Sequence, residues 1–254
     1  MHKIFYFALA FHLFISCSND EDATPFFELS CLGTPIESNN LMVCDSFVLS
    51  PQQCDVVHVG DYKLAKDSRS YLNQYCLEIG DKEVFVNSNG DKLYMEVYAK
   101  NFTKTIAARN TFINCDNDTT KFITACYGNE YAQFNMRSAD SKIDLLIRLR
   151  TSLSTEDPLS GKAADYIEIL QRTANNLFLQ EFSIIINERD IGFNQEPSQE
   201  NLGTIELLGE SFENVLSYNI SAFTDPKPFK YYYNQTIGLI AFQDSEGVLW
   251  RLEL

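Results

Sequence analysis

Three histidines occur, at positions 2, 12 and 58, and the first two sit in an apolar stretch at the start of the chain. His58 is therefore the one candidate base. A Ser-His-Asp triad would run through it, in Asp55-Val56-Val57-His58-Val59-Gly60, and no Gly-x-Ser-x-Gly elbow supplies a nucleophile. Its valine-rich setting reads as a structural strand position. Carboxylates are plentiful, with 35 Asp and Glu, and two of them about 5–10 Å apart across a groove would suffice to hydrolyse a glycosidic bond. Spacing along a β chain does not single out such a pair. Asp116-Asn117-Asp118-Thr119-Thr120-Lys121 has the alternating oxygens of a calcium loop, but Lys121 stands where glycine is required and Tyr127 where glutamate is required. Phosphate-cradling glycine motifs are absent, so no metal and no cofactor is indicated.

The seven cysteines carry more information. Cys17 closes the apolar leader. The remaining six, Cys31, Cys44, Cys54, Cys76, Cys115 and Cys126, form an even set suited to three disulfides in an oxidising compartment. None shows the C-x-x-C spacing of a zinc ribbon or a thioredoxin-like site. Cys115 and Cys126 bracket a polar loop and read as a local pair across a hairpin; the other four would staple the N-terminal third.

The leader itself is Met1-His2-Lys3 followed by about a dozen mainly apolar residues, the layout of a secretory signal and too short for a bilayer-spanning helix. It ends Leu13-Phe14-Ile15-Ser16-Cys17, which resembles the lipobox of bacterial lipoproteins. That resemblance implies acylation of the Cys17 thiol and cleavage before it. Two or three acyl chains would hold the protein stably to a membrane. Directly behind lies Ser18-Asn19-Asp20-Glu21-Asp22, similar to the acidic export signal of surface lipoproteins in Bacteroidota, which implies an address on the outer face of the outer membrane. Without the lipid, Cys17 would be an incidental thiol in a secreted chain, and the acidic run a solvated tether.

These features imply a signal peptide at 1–16, an acidic tether at 17–30 and a single β-rich domain at 31–254. The chain has 254 residues, 45% of them apolar and 13% aromatic, enough to bury a core. Its formal charge of −15 grows by one unit when Lys3 leaves with the leader. Such a surface is repelled by phosphate backbones, which excludes nucleic acid as a natural partner, and by anionic lipid headgroups, so any membrane contact must run through the acyl group.

Period-two alternation dominates from residue 31 onward. Val248, Trp250, Leu252 and Leu254 alternate with Leu249, Arg251 and Glu253, and Ile237–Phe242 forms a second apolar run. Asp244-Ser245-Glu246-Gly247 lies between them as a turn, so the end of the chain is a hairpin with Trp250 in the core. Glu83–Val86, an Asn87-Ser88-Asn89-Gly90-Asp91 turn and Lys92–Tyr98 repeat the design. Ile143, Leu145, Ile147 and Leu149 share one strand face, and Phe182–Ile186, Thr204–Leu208 and Phe212–Ile220 add further strands. Helix is scarce: Ala163–Asn175 is the best candidate, although Asp165–Leu170 alternates well enough for a strand. The expected fold is all-β, an antiparallel sandwich or barrel with little helix, stapled by disulfides.

The ending Tyr231-Tyr232-Tyr233, Gly238-Leu239-Ile240-Ala241-Phe242 and Trp250 resembles the closing hairpin of uncharacterised Bacteroidota lipoproteins, and Tyr62–Ser68 also fits proteins of that kind. This implies a fold type and an address, with no activity to carry over. Tyr231 and Tyr233 share a strand face and are candidates to stack on a sugar; ordinary strand packing explains them equally. Asn-x-Ser/Thr sequons stand at Asn101, Asn117, Asn219 and Asn234, at a density that chance supplies in so Asn-rich a chain. Asp118-Thr119-Thr120 resembles the O-glycosylation site of exported Bacteroidota proteins. The sequence favours a non-enzymatic, lipid-anchored surface module that binds a glycan, small ligand or protein. The alternatives are a carboxylate-based glycan hydrolase and a soluble eukaryotic glycoprotein.

Overall fold

A computed structural model describes residues 32–37, 44, 51–112, 121–153, 157–172, 178–188, 199–219, 230–244 and 246–254. The lipobox, Cys17, the acidic run, Cys31, Cys115, Asn117 and Asp118-Thr119-Thr120 lie outside them.

The fold is all-β, as the alternation predicts. Among the described residues thirteen strands share one sheet: β1 Ile36–Glu37, β2 Gln53–Tyr62, β3 Lys82–Val86, β4 Lys92–Phe112, β5 Phe122–Ser138, β6 Asp144–Leu153, β7 Ala163–Arg172, β8 Phe178–Glu188, β9 Gln199–Leu207, β10 Glu210–Asn219, β11 Lys230–Asn234, β12 Gly238–Gln243 and β13 Leu249–Leu252. The strands from β3 to β8 form one antiparallel meander and those from β9 to β13 another. They join where β13 pairs with β3, placing Leu252 opposite Phe85 and Arg251 opposite Val86. The outcome is neither a two-sheet sandwich nor a closed barrel. It is one curled sheet in which β8, at one end, comes near β10, the strand next to the other end, without a shared ladder among the described residues.

The turns follow the expected chemistry. The Asn87 side-chain oxygen accepts the backbone N–H groups of Asn89 and Asp91, and Gly90 takes φ +82°. Asp244 plays the same part before β13, accepting from Glu246 and Val248, and its second oxygen accepts the indole N–H of Trp250 at 2.8 Å. Trp250 is accordingly tied to the turn and only part-buried at the margin of the core. Over its described part, Ala163–Arg172, the helix candidate is strand β7, because Ile167 and Ile169 belong to a row of core residues and register with Leu149 and Ile147. A strand's period of two fits that row, and a helix's does not.

Phe85, Met95, Val97, Phe134, Met136, Leu145, Ile147, Leu149, Ile167, Tyr233 and Leu252 form one buried cluster. Strands as far apart as β7 and β11 contribute to it, so the sheet must wrap around a common interior. That interior is filled from within the chain. Residues 64–77, comprising α1 (Lys66–Arg69) and a 3₁₀ stretch at Ser70–Cys76, run along the concave face and bury Leu64, Leu72 and Tyr75 in the same cluster.

The pair β4–β5 is far longer than its turn signals suggest. Twenty-one residues of β4 amount to about 70 Å of strand. Its outer part is flanked by β1, parallel to β4 at Ile36 and Thr103, and by β2, parallel to β5 from Gln53 to Tyr62. Cys44 is bonded to Cys126 on this arm, with Cα atoms 5.7 Å apart. The expected local pair of Cys115 with Cys126 is therefore overturned. Cys126 takes a partner 82 residues away, on the part of the arm that β1 and β2 flank. Cys54 and Cys76 are disulfide-bonded as well.

Candidate functional site

The polar side chains that point inward converge on the inner segment, and they reach it through strand register. On β5 the core face carries Ala132, Phe134 and Met136, so alternation puts Glu130 on the same face; on β7, Ile167 and Ile169 do the same for Asp165. Both carboxylates are buried, Asp165 completely. Glu130 accepts the backbone N–H of Leu64 at 3.2 Å and the Arg69 guanidinium at 3.3 Å. Asp165 accepts the next backbone N–H, that of Ala65, at 2.9 Å and the Thr151 hydroxyl at 2.6 Å. Two adjacent amides leading into α1, those of Leu64 and the N-cap Ala65, are thus taken by two carboxylates. Arg69 also stands over the Phe102 ring at 5.8 Å.

A second constellation secures the other end. The Gln74 amide acts as a surrogate peptide group for Leu239: it donates to that carbonyl at 3.2 Å and accepts from that N–H at 2.8 Å. Its other proton goes to Glu83 at 2.7 Å. Gly238 permits this approach. Its φ is +104°, and a Cβ there would lie 2.4 Å from the Gln74 side-chain oxygen. The Tyr233 hydroxyl donates to the Tyr71 carbonyl, Asn73 to the Thr236 carbonyl, and Lys100 to the Leu77 carbonyl at 2.7 Å.

Glu83 shares the inward face of β3 with Phe85, and among the described residues no cation is paired with it. Burial pushes its carboxyl up to about 7, against a smaller opposing effect of the Gln74 hydrogen bond. Burial likewise raises the Tyr71 and Tyr233 phenols above their ordinary value.

A third ionic group belongs to the opposite face of the sheet. Glu168 is fully buried, with one oxygen accepting from Arg148 Nε at 2.6 Å and the other from Arg150 Nε at 2.6 Å. It ties β6 to β7 across their register at Arg148 and Glu168.

The residues singled out by type fall elsewhere. Tyr231 and Tyr233, candidates for sugar stacking, are both 0% exposed. They fill the core and offer no platform, because β11 lies within the sheet with its odd-numbered face turned inward; Tyr232 takes the other face, under Lys230 at 5.2 Å. His58 is half-exposed on β2, its Nε2 3.5 Å from Asp61. The sequon residue Asn234 is buried, donating to the Glu213 carbonyl and accepting from Thr236 and Ile237. Among the described residues no group of three or more His, Cys, Asp or Glu side chains is arranged to hold a metal ion.

Glu130 and Asp165 both face inward as the paired acids of a glycosidase would, but each accepts a hydrogen bond from the chain's own backbone at the inner segment. The signal for all three inward acids was present in the sequence, since each stands an even number of residues before a core row. Their common target was not, because 64–77 shows neither helical nor strand periodicity. Protein-family models, curated proteins and solved structures were each compared with this chain, and none matches it.

Proposed function

We propose that this chain is an exported lipoprotein, acylated at Cys17 and carried on the outer face of the cell, whose β domain is a non-enzymatic binding or structural module. The observation that carries the non-enzymatic part is the filled interior: residues 64–77 occupy the concave face, and Glu130 and Asp165 are spent on holding them there. An acid catalyst needs a groove that substrate can enter and a carboxyl free to give up its proton. The half-cystines Cys44, Cys54, Cys76 and Cys126 support an oxidising exterior. A glycan, small ligand or protein would have to bind on the outer surface of the sheet or on the β4–β5 arm, and the lipid would supply the only attachment to the membrane.

Mass spectrometry of the mature N-terminal peptide tests the anchor. The expected result is a diacyl or triacyl modification on Cys17 with nothing preceding it; an unmodified residue at or near position 17 overturns the assignment. The second reading, a surface hydrolase, draws its support from Glu83, a carboxyl kept protonated to near neutrality as a general acid requires. Release of reducing sugar from a glycan, abolished by Glu83→Gln, would establish it in place of the binding module.

A further inference from the structure

We propose that the half-cystines Cys76 and Cys54 are bonded to Cys31 and Cys115 respectively, so that the root of the tether is fixed to the inner segment and the outer end of the β4–β5 arm is closed to β2. The simplest pairing, Cys54 with Cys76, fails on distance. Cys54 stands at the outer end of the arm, in the bulge of β2 between Gln53, opposite Phe122, and Asp55, opposite Ile123. Phe122 in turn pairs with Phe112, the last residue of β4. Cys76 lies between Tyr75 and Leu77, both of which Lys100 engages, over the ring at 4.8 Å and at the carbonyl at 2.7 Å. From Lys100 to Phe112 is about 40 Å of strand, and a disulfide spans Cα atoms only about 4.4–6.8 Å apart. Cys44 and Cys126 are bonded to each other. Cys54 and Cys76, both oxidised, must therefore take partners from among Cys17, Cys31 and Cys115.

Chain reach assigns them. Cys115 follows Phe112 by three residues, so it stays within about 10 Å of the end of β4. There Phe112, Phe122 and the start of β2 are neighbours on successive ladders, each about 4.8 Å wide. Cys115 can reach Cys54 and falls well short of Cys76. Cys31 immediately precedes Leu32, which is buried in the core cluster that holds Leu72 and Tyr75 of the inner segment. β1 runs parallel to β4, with Ile36 opposite Thr103 and Glu37 opposite Lys104. The chain ahead of Ile36 is therefore directed back along β4 toward Lys100, and Thr103 is already about 30 Å of strand short of Phe112. Cys31 can reach Cys76 and is out of range of Cys54. Cys17 is then the one cysteine outside the disulfides, as its acylation requires. Each bond forms as two thiols give up two protons and two electrons to the disulfide of a thiol–disulfide oxidoreductase, which is left as a dithiol. The inference rests on export into an oxidising compartment and not on the lipid.

Peptide mapping of the full chain, isolated without reductant, tests it. Free thiols are blocked with N-ethylmaleimide and the protein is cut with pepsin, because acid suppresses thiolate exchange. The expected digest holds linked peptides joining Cys31 to Cys76 and Cys54 to Cys115, beside Cys44 joined to Cys126. A link of Cys31 to Cys54, of Cys76 to Cys115, or of Cys17 to any of them overturns the assignment, and so does maleimide on Cys31, Cys54, Cys76 or Cys115. Maleimide on Cys44 and Cys126 as well would overturn the oxidising address with it, whereas the acyl state of Cys17, read in the same digest, decides the anchor alone. As a second measurement, Cys76→Ser should release one reactive thiol, at Cys31, and Cys115→Ser one, at Cys54. A thiol released at any other cysteine overturns the pairing; if either variant does not fold, the map of the unsubstituted chain decides.

Discussion

An acidic side chain in phase with a core face is costly unless donors meet it. Glu130 and Asp165 are met, by Arg69, Thr151 and two backbone amides. Glu83 has Gln74 alone among the described residues. The sign of the consequence follows from linkage. Its folded carboxyl sits at about 7, above the ordinary 4.5, so the unfolded chain releases this proton first as pH rises. The stability this group confers is whole below about 4.5 and is lost as pH rises through 7. Between pH 5 and 8.5 the loss is on the order of 2–3 kcal/mol. Urea denaturation of Glu83→Gln at those two pH values should show that difference reduced to near zero, with the variant the more stable form at the higher pH. A residue of this kind is legible one position at a time: Glu83-Val84-Phe85 puts the acid on the side of a phenylalanine. What no local pattern discloses is the partner, since Gln74 lies in a stretch without periodicity and Leu239 more than 160 residues beyond it.

The elements divide along the same line. Hairpins β3–β4 and β12–β13 were legible because Asn87 and Asp244 write their turns into the sequence and alternation marks the strands on either side. β7 was ambiguous because apolar residues at 163, 164, 167, 169 and 170 satisfy both a strand and a short helix, and only its place between β6 and β8 decides. The inner segment was missed altogether, for its α-helical part is four residues long and its stability comes from tertiary contacts that no propensity describes. Leu72 is the test of that statement. It is 0% exposed within the main core cluster, and Leu72→Ala should cost about 3–5 kcal/mol through the cavity it leaves. A calorimetric or urea-unfolding loss below about 1 kcal/mol would mean that the segment is a passenger on the sheet and not part of its core.

At the scale of the molecule, the disulfide between Cys44 and Cys126 closes a loop across 82 residues of sequence separation. On the chain-entropy account such a closure contributes about 4.5 kcal/mol, and typical measured values are about 2–4. The double variant Cys44→Ala/Cys126→Ala should lose stability in that range in urea, and in the unsubstituted protein a reductant should lower the midpoint likewise. A variant with an unchanged midpoint would show that β1 and β2 hold the arm without the covalent link. Cysteine count alone made an oxidised protein legible; the pairing required knowing that two strands run parallel to the arm. The junction of β13 with β3 has a kinetic counterpart. Each meander consists of neighbours in sequence and can zip from its own turns, whereas Leu252 meets Phe85 only after a closure spanning most of the domain. Non-local pairing of that sort is slow. Refolding should therefore be limited by the closure that brings β13 against β3.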